Sequence, residues 1–171
     1  MNRFQGRVFK HPDYVTYLEK VFPDVVFYTD AFKIFWKEGF HPAIGKGGVM
    51  KFPSLYTDRA IGRFHIEPPT KPSHPYSSTA ECWLRWAQQD EDMFVFPTSN
   101  KFLIFCVDEN RDACLLGYLD GDDRDAHEVI KDQNFRSNMR TRAEQFFRSR
   151  GTDPMEESLH DSLFDPRWET E

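Results

Sequence analysis

Phe102-Leu103-Ile104-Phe105-Cys106-Val107-Asp108-Glu109-Asn110-Arg111-Asp112-Ala113-Cys114-Leu115-Leu116-Gly117-Tyr118-Leu119 is the stretch that decides the fold. Two near-continuous apolar runs of strand length flank five polar residues. An unbroken run, unlike an alternating one, marks a strand buried on both faces. The pair predicts a central antiparallel hairpin with a layer of helices to cover it.

Upstream, Ala60-Ile61-Gly62-Arg63-Phe64-His65-Ile66 reads as a third strand. Residues 67–75 hold Pro68, Pro69, Pro72 and Pro75, which cannot donate to a ladder, so an exposed excursion should run over about 67–97. A short helix over 79–89, with Trp83, Leu84 and Trp86, and a candidate short strand over 93–96 fall inside it. Residues 39–60 are rich in glycine and show no sustained period, which predicts a loop. Before them, Asp24–Glu38 has Val25, Tyr28, Phe32, Phe35 and Trp36 at helical spacing and Gly39 at its end. Tyr14, Val15, Tyr17, Leu18, Val21 and Phe22 predict a preceding helix, and residues 3–10 a first strand.

Downstream, Phe135, Met139, Ala143 and Phe146 form a helical stripe, with Asp123 or Asp125 as the expected cap of one final helix. The predicted order is β-α-α-β-(excursion)-β-β-α. That is an α+β domain over residues 1–150, its small antiparallel sheet packed by an N-terminal helical hairpin and a C-terminal helix.

The net charge of −6 is concentrated at the end of the chain. Residues 151–171 carry seven acids and one base, so the body is neutral on average. Lys131 to Arg150 holds six bases against two acids, the footprint expected of a phosphate-bearing partner. The acidic tail is expected to fold back onto this helix and mask it. No apolar run approaches the ~18 residues of a membrane span, and no leader-like N-terminus is present, so a cytoplasmic protein is expected. Cys82, Cys106 and Cys114 form no C-x-x-C pair and are read as reduced.

Several chemistries lack their residues. Gly45-Lys46-Gly47 has no hydroxyl for magnesium after the lysine, 120–123 lacks the offsets of a calcium loop, and the six histidines show no zinc-binding pair. No metal or cofactor is expected. What remains is Arg63 and His65 on one strand, His127 at a helix start, and a basic helix. Metal-independent RNA cleavage needs a base for the 2′-hydroxyl, cations for the phosphorane and an acid for the leaving oxygen. Histidine and arginine suit those tasks, and a helix dipole at His127 would favour its neutral, basic form.

Arg7-Val8-Phe9-Lys10, Lys37-Glu38-Gly39-Phe40-His41-Pro42-Ala43-Ile44-Gly45-Lys46, Phe64-His65-Ile66, Thr98-Ser99-Asn100-Lys101-Phe102-Leu103-Ile104-Phe105-Cys106, and His127-x3-Lys131-Asp132-x-Asn134-x8-Ala143-Glu144-x-Phe146 occur in an order that resembles the YafO family. The resemblance implies a RelE-like fold and a type II toxin that cuts mRNA on the ribosome and is neutralised by a cognate antitoxin. Within it, His65 and His127 are the expected proton-transfer groups and Arg63 the phosphate clamp. Lys46, Lys131, Asn134, Arg136 and Arg140 are expected to contact RNA. The chain departs from the family in the length of the 67–97 excursion, in Glu67 where a second strand histidine is expected, and in the acidic tail. Two other classes fit the same residues: a non-catalytic immunity or anti-defence factor on this scaffold, and a small enzyme whose Trp83 and Trp86 line a pocket.

Overall fold

In the computed structural model, which describes residues 2–69, 77–93 and 95–171, strand β1 (Val8–Lys10) leads into a π-helical turn (Tyr14–Leu18) and helix α1 (Glu19–Val21). Helix α2 (Asp24–Glu38) ends as expected, with Gly39 left-handed and its N–H on Phe35 O at 2.8 Å. Strand β2 (Ile44–Val49), helix α3 (Ser54–Thr57) and strand β3 (Ile61–Ile66) follow, then helix α4 (Ala80–Ala87). The hairpin of β4 (Phe102–Val107) and β5 (Ala113–Leu119) precedes helices α5 (Ala126–Val129) and α6 (Gln133–Arg150), and two 3-10 turns (Glu157–Ser162, Pro166–Trp168) close the chain.

The strands form one five-stranded sheet in the order β1-β5-β4-β3-β2. β1 runs parallel to β5 and every other pair is antiparallel, so the sheet is mixed rather than the small antiparallel one expected. Neighbouring parallel strands need a long crossover between them. Here 105 positions separate Val8 from its partner Ala113, a relation that no local pattern encodes.

The loop expected over 39–60 is instead β2 and α3. Glycine hid the strand: a Cβ on Gly45 would lie 2.3 Å from Pro97 O, and one on Gly47 would lie 2.2 Å from Arg63 O. Close backbone approach on both sides removes the side chains whose alternation would have signalled a strand. The single final helix is two helices with separate caps. The Asp125 carboxylate accepts from His127 N at 2.9 Å, and Asp132 accepts from Phe135 N at 3.0 Å. The predicted helix over 14–22 opens with a π turn. Met93, Val95 and Phe96 pair with no strand, and Phe94 lies outside the described residues.

Side chains alternate across the sheet. Phe64, Ile66, Leu103, Phe105 and Leu115 face α2, while Ile61, Phe102, Ile104, Cys106 and Leu116 face α6. The tail belongs to the α2 face. Met155 and Leu163 are buried in that core, Leu159, Phe164 and Trp168 pack against it, and Met155 N bonds Val107 O at 3.1 Å. It therefore lies across the sheet from α6 and does not mask that helix. Its apolar residues, overlooked beside its acids, decide its position.

Arg111 fastens the tail. It is fully buried, with its guanidinium over Trp36, Phe4 and Phe164 at 4.4, 5.2 and 5.0 Å. It donates to Leu163 O at 2.6 Å, to Trp36 O at 3.0 Å and to Gln5 O, and Trp36 Nε1 returns a bond to Arg111 O at 3.0 Å. Three carbonyls and three aromatic faces hold a cation that no carboxylate partners among the described residues. Burial lowers its pKa to about 10, which leaves it charged at neutral pH.

Candidate active site

β3 brings Arg63 and His65 to the α6 face by simple alternation. Opposite His65 in register is Phe102, and this ring is the floor on which the site is assembled. The Arg63 guanidinium lies 4.6 Å above it, and His65 meets it edge to face at 4.7 Å. His127, delivered from α5, contacts the same ring edge to face at 4.9 Å. The two imidazole centroids are 5.8 Å apart.

Each imidazole is held differently. His127 Nδ1 lies 3.2 Å from Asp125 Oδ1 and 3.3 Å from Asn100 Oδ1. Asn100 Oδ1 also accepts from Ala126 N at 2.9 Å, which fixes the amide orientation. Both neighbours of Nδ1 are acceptors, so Nδ1 carries the hydrogen and Nε2 is the basic nitrogen of the neutral ring. With α5 only four residues long, the carboxylate beside the ring replaces the helix dipole as the dominant local field. His65 Nδ1 lies 2.7 Å from Ser99 O and 2.9 Å from Ser99 N, so it has a partner in either tautomer. Burial, opposed by the backbone hydrogen bond at Ser99 and aided by the charges of Arg63 and Lys46, depresses the His65 pKa to about 3. It is a neutral imidazole under ordinary conditions. Burial also lowers the Arg63 pKa, with the nearby Tyr56 opposing that shift.

Arg63, His65 and His127 open into one groove of about 630 Å³, within the ~300–1,000 Å³ span of small-molecule sites. Lys46, Lys51, Phe52, Ser77 and Thr98 also line it, together with the 47–50 backbone. No carboxylate is among its described lining residues, in a chain of net charge −6. Lys51 does pair with Asp161 at 2.9 Å, but both side chains are about three-quarters exposed, so the pair is weak.

Of the residues expected to contact RNA, Lys131 in the turn between α5 and α6, and Asn134, Arg136 and Arg140 on α6, are outside this groove. Lys131 is exposed and 3.3 Å from Glu128, and Asn134 is exposed. Arg140 shares Glu144 with Arg59, each at 3.1 Å. Arg136 is half-buried, close enough to Tyr56 to act on it electrostatically alongside Arg63. Elsewhere on the helix Arg142 donates to Leu116 O at 2.6 Å and Arg150 pairs with Asp112 at 2.7 Å. Much of the basic helix is thus committed to structural contacts.

Lys51, Phe52, Ser99 and Asn100 were not singled out as site residues from sequence. The first two were hidden in the misread loop; a serine-asparagine pair just before a buried strand was the available signal for the others. Trp83 is buried, and its partner Trp86 donates to Ile44 O at 2.9 Å. Trp86 also borders a second groove, of about 680 Å³, on the other face of β2. Among the described residues, no cluster of three His, Cys, Asp or Glu is placed to hold a metal, and no helix is long and apolar enough to cross a membrane. Cys106 and Cys114 are buried, and burial pushes the Cys106 thiol up.

Comparison with protein-family models, curated proteins and solved structures finds no match.

Proposed function

We propose that the chain is an endoribonuclease toxin of a type II toxin–antitoxin system, cutting ribosome-associated mRNA through attack of the 2′-hydroxyl without a metal. The observation that carries the reading is the groove in which Arg63, His65, His127 and Lys46 converge with no carboxylate among the described residues lining it. Such a lining suits a phosphodiester. The ordered resemblance to the YafO family supports the same reading and supplies its toxin and ribosome components.

In this mechanism His127 Nε2 takes the proton of the 2′-hydroxyl while Asp125 holds the ring. The 2′-oxygen bonds to phosphorus and the bond to the 5′-oxygen breaks, leaving a cyclic phosphate. Arg63 and Lys46 offset charge on the phosphorane. His65, neutral, donates a hydrogen bond through Nε2 when Ser99 N–H occupies its Nδ1. Water protonates the leaving oxygen, since His65 holds no spare proton near neutral pH, and the hydroxide left takes the proton that His127 gained, which restores both.

That last point favours a second reading, a non-catalytic binding protein that uses the groove to hold an anionic partner. Inducing the protein in a bacterium and mapping new mRNA 5′ ends separates the two. Ends that depend on His127 support the nuclease; harmless expression without new ends supports the binding protein.

A further inference from the structure

Among the described residues Phe52 is the most exposed of the large apolar side chains, at 85%, and it lines the groove that holds Arg63, His65 and His127. An isolated exposed apolar residue is ordinary on a surface. Phe52 differs in that its backbone is fixed on both sides. Before it, Met50 N bonds Ile61 O at 3.0 Å and Met50 O accepts from Thr57 Oγ1 at 2.8 Å. After it, Pro53 O accepts from Tyr56 N at 2.9 Å, and buried Tyr56 anchors that turn by donating to Ile130 O at 2.6 Å. Among the described residues no other ring contacts Phe52. Lys51 adjoins it in the chain, and Lys46 lines the same groove.

We propose that Phe52 is a stacking platform for one unpaired nucleobase of the RNA strand whose phosphate is held by Arg63 and Lys46. A phenyl ring has only two side-chain torsions to immobilise, and every base presents a π face, so the platform is tolerant of sequence and selective for single strands. The ring on a fixed turn and the cations inside the groove match the two chemical halves of a nucleotide. This inference rests on the nuclease reading of the site. It adds a substrate class, unpaired RNA, and a residue that positions the strand without touching the reacting atoms.

The test uses a short 2′-O-methyl RNA carrying one 2-aminopurine, which stacks but cannot be cut. At low salt the native protein should quench its fluorescence. Phe52→Ala should weaken binding by ~5- to 150-fold with no change in melting temperature, and Phe52→Trp should restore it. Replacing the probe base by an abasic site should abolish the difference between native and Phe52→Ala. Equal affinity of native and Phe52→Ala, or no quenching by the native protein, overturns the inference whatever the mapped mRNA ends show. Quenching by Phe52 together with mRNA ends that persist in a His127→Gln variant overturns the nuclease mechanism and leaves the platform standing.

Discussion

His65 and His127 face each other across the edge of Phe102 with centroids 5.8 Å apart, although 62 positions separate them in the chain. One is buried and neutral; the other is tethered to a carboxylate at the groove mouth. Their division of labour leads to the first two expectations.

His127→Gln should lower RNA cleavage by ~10²- to 10⁴-fold, the range of a lost general base. Asp125→Asn keeps an effective helix cap, so folding stability should change by less than about 1 kcal/mol. Cleavage should nevertheless fall, because Asp125 no longer accepts from the ring of His127 as a carboxylate. Single-turnover cleavage and thermal melting of both variants check this, and full activity in Asp125→Asn would contradict the tether.

His65 predicts a pH dependence of stability. Its folded pKa, about 3, lies below the ordinary 6.5, so in acid the unfolded chain binds a proton that the native state refuses. The contribution is complete above pH 6.5 and is lost as pH falls from there towards 3. Between pH 7 and pH 5 the loss should be about 2 kcal/mol, from linkage with those two values. Urea unfolding at both pH values should show a smaller loss for His65→Gln than for the native chain; equal losses would mean that His65 is not desolvated.

Arg111→Met should destabilise the fold by about 3–5 kcal/mol. The change removes bonds to the carbonyls of Gln5, Trp36 and Leu163, and each buried unsatisfied group costs on the order of 1–3 kcal/mol. Lysine should not rescue it, because one ammonium cannot reproduce a planar guanidinium among three rings. Denaturant titration tests this, and a loss under about 1 kcal/mol would remove Arg111 as the fastener of the tail.

Asp161→Asn should raise RNA affinity by only ~1.5- to 5-fold, the scale of an exposed ion pair released at Lys51. Deleting 151–171 should instead cause loss of folding, since it removes Met155 and Leu163 from the core. A soluble, cooperatively melting truncation would show that the tail is dispensable.

The hairpin 102–119, helix Asp24–Glu38 and strand 61–66 were legible because their signals are local: unbroken apolar runs, a helical stripe ended by glycine, and strand-length segments between breakers. The chain also specified the residue types suited to phosphate chemistry, Arg63, His65, His127 and Lys46. Tertiary structure decided which of them meet. Pairing β3 with β4 placed Phe102 beneath Arg63 and His65, and the break between α5 and α6 turned His127 onto the same ring. Asn134, Arg136 and Arg140 fell outside the groove because helix packing directs side chains by face, not by proximity in sequence, and Lys131 lies outside it in the turn between α5 and α6. Local periodicity encodes an element's own conformation. The parallel β1–β5 pair, the seat of the tail and the charge of the groove arise from contacts between distant segments, which no window of sequence contains.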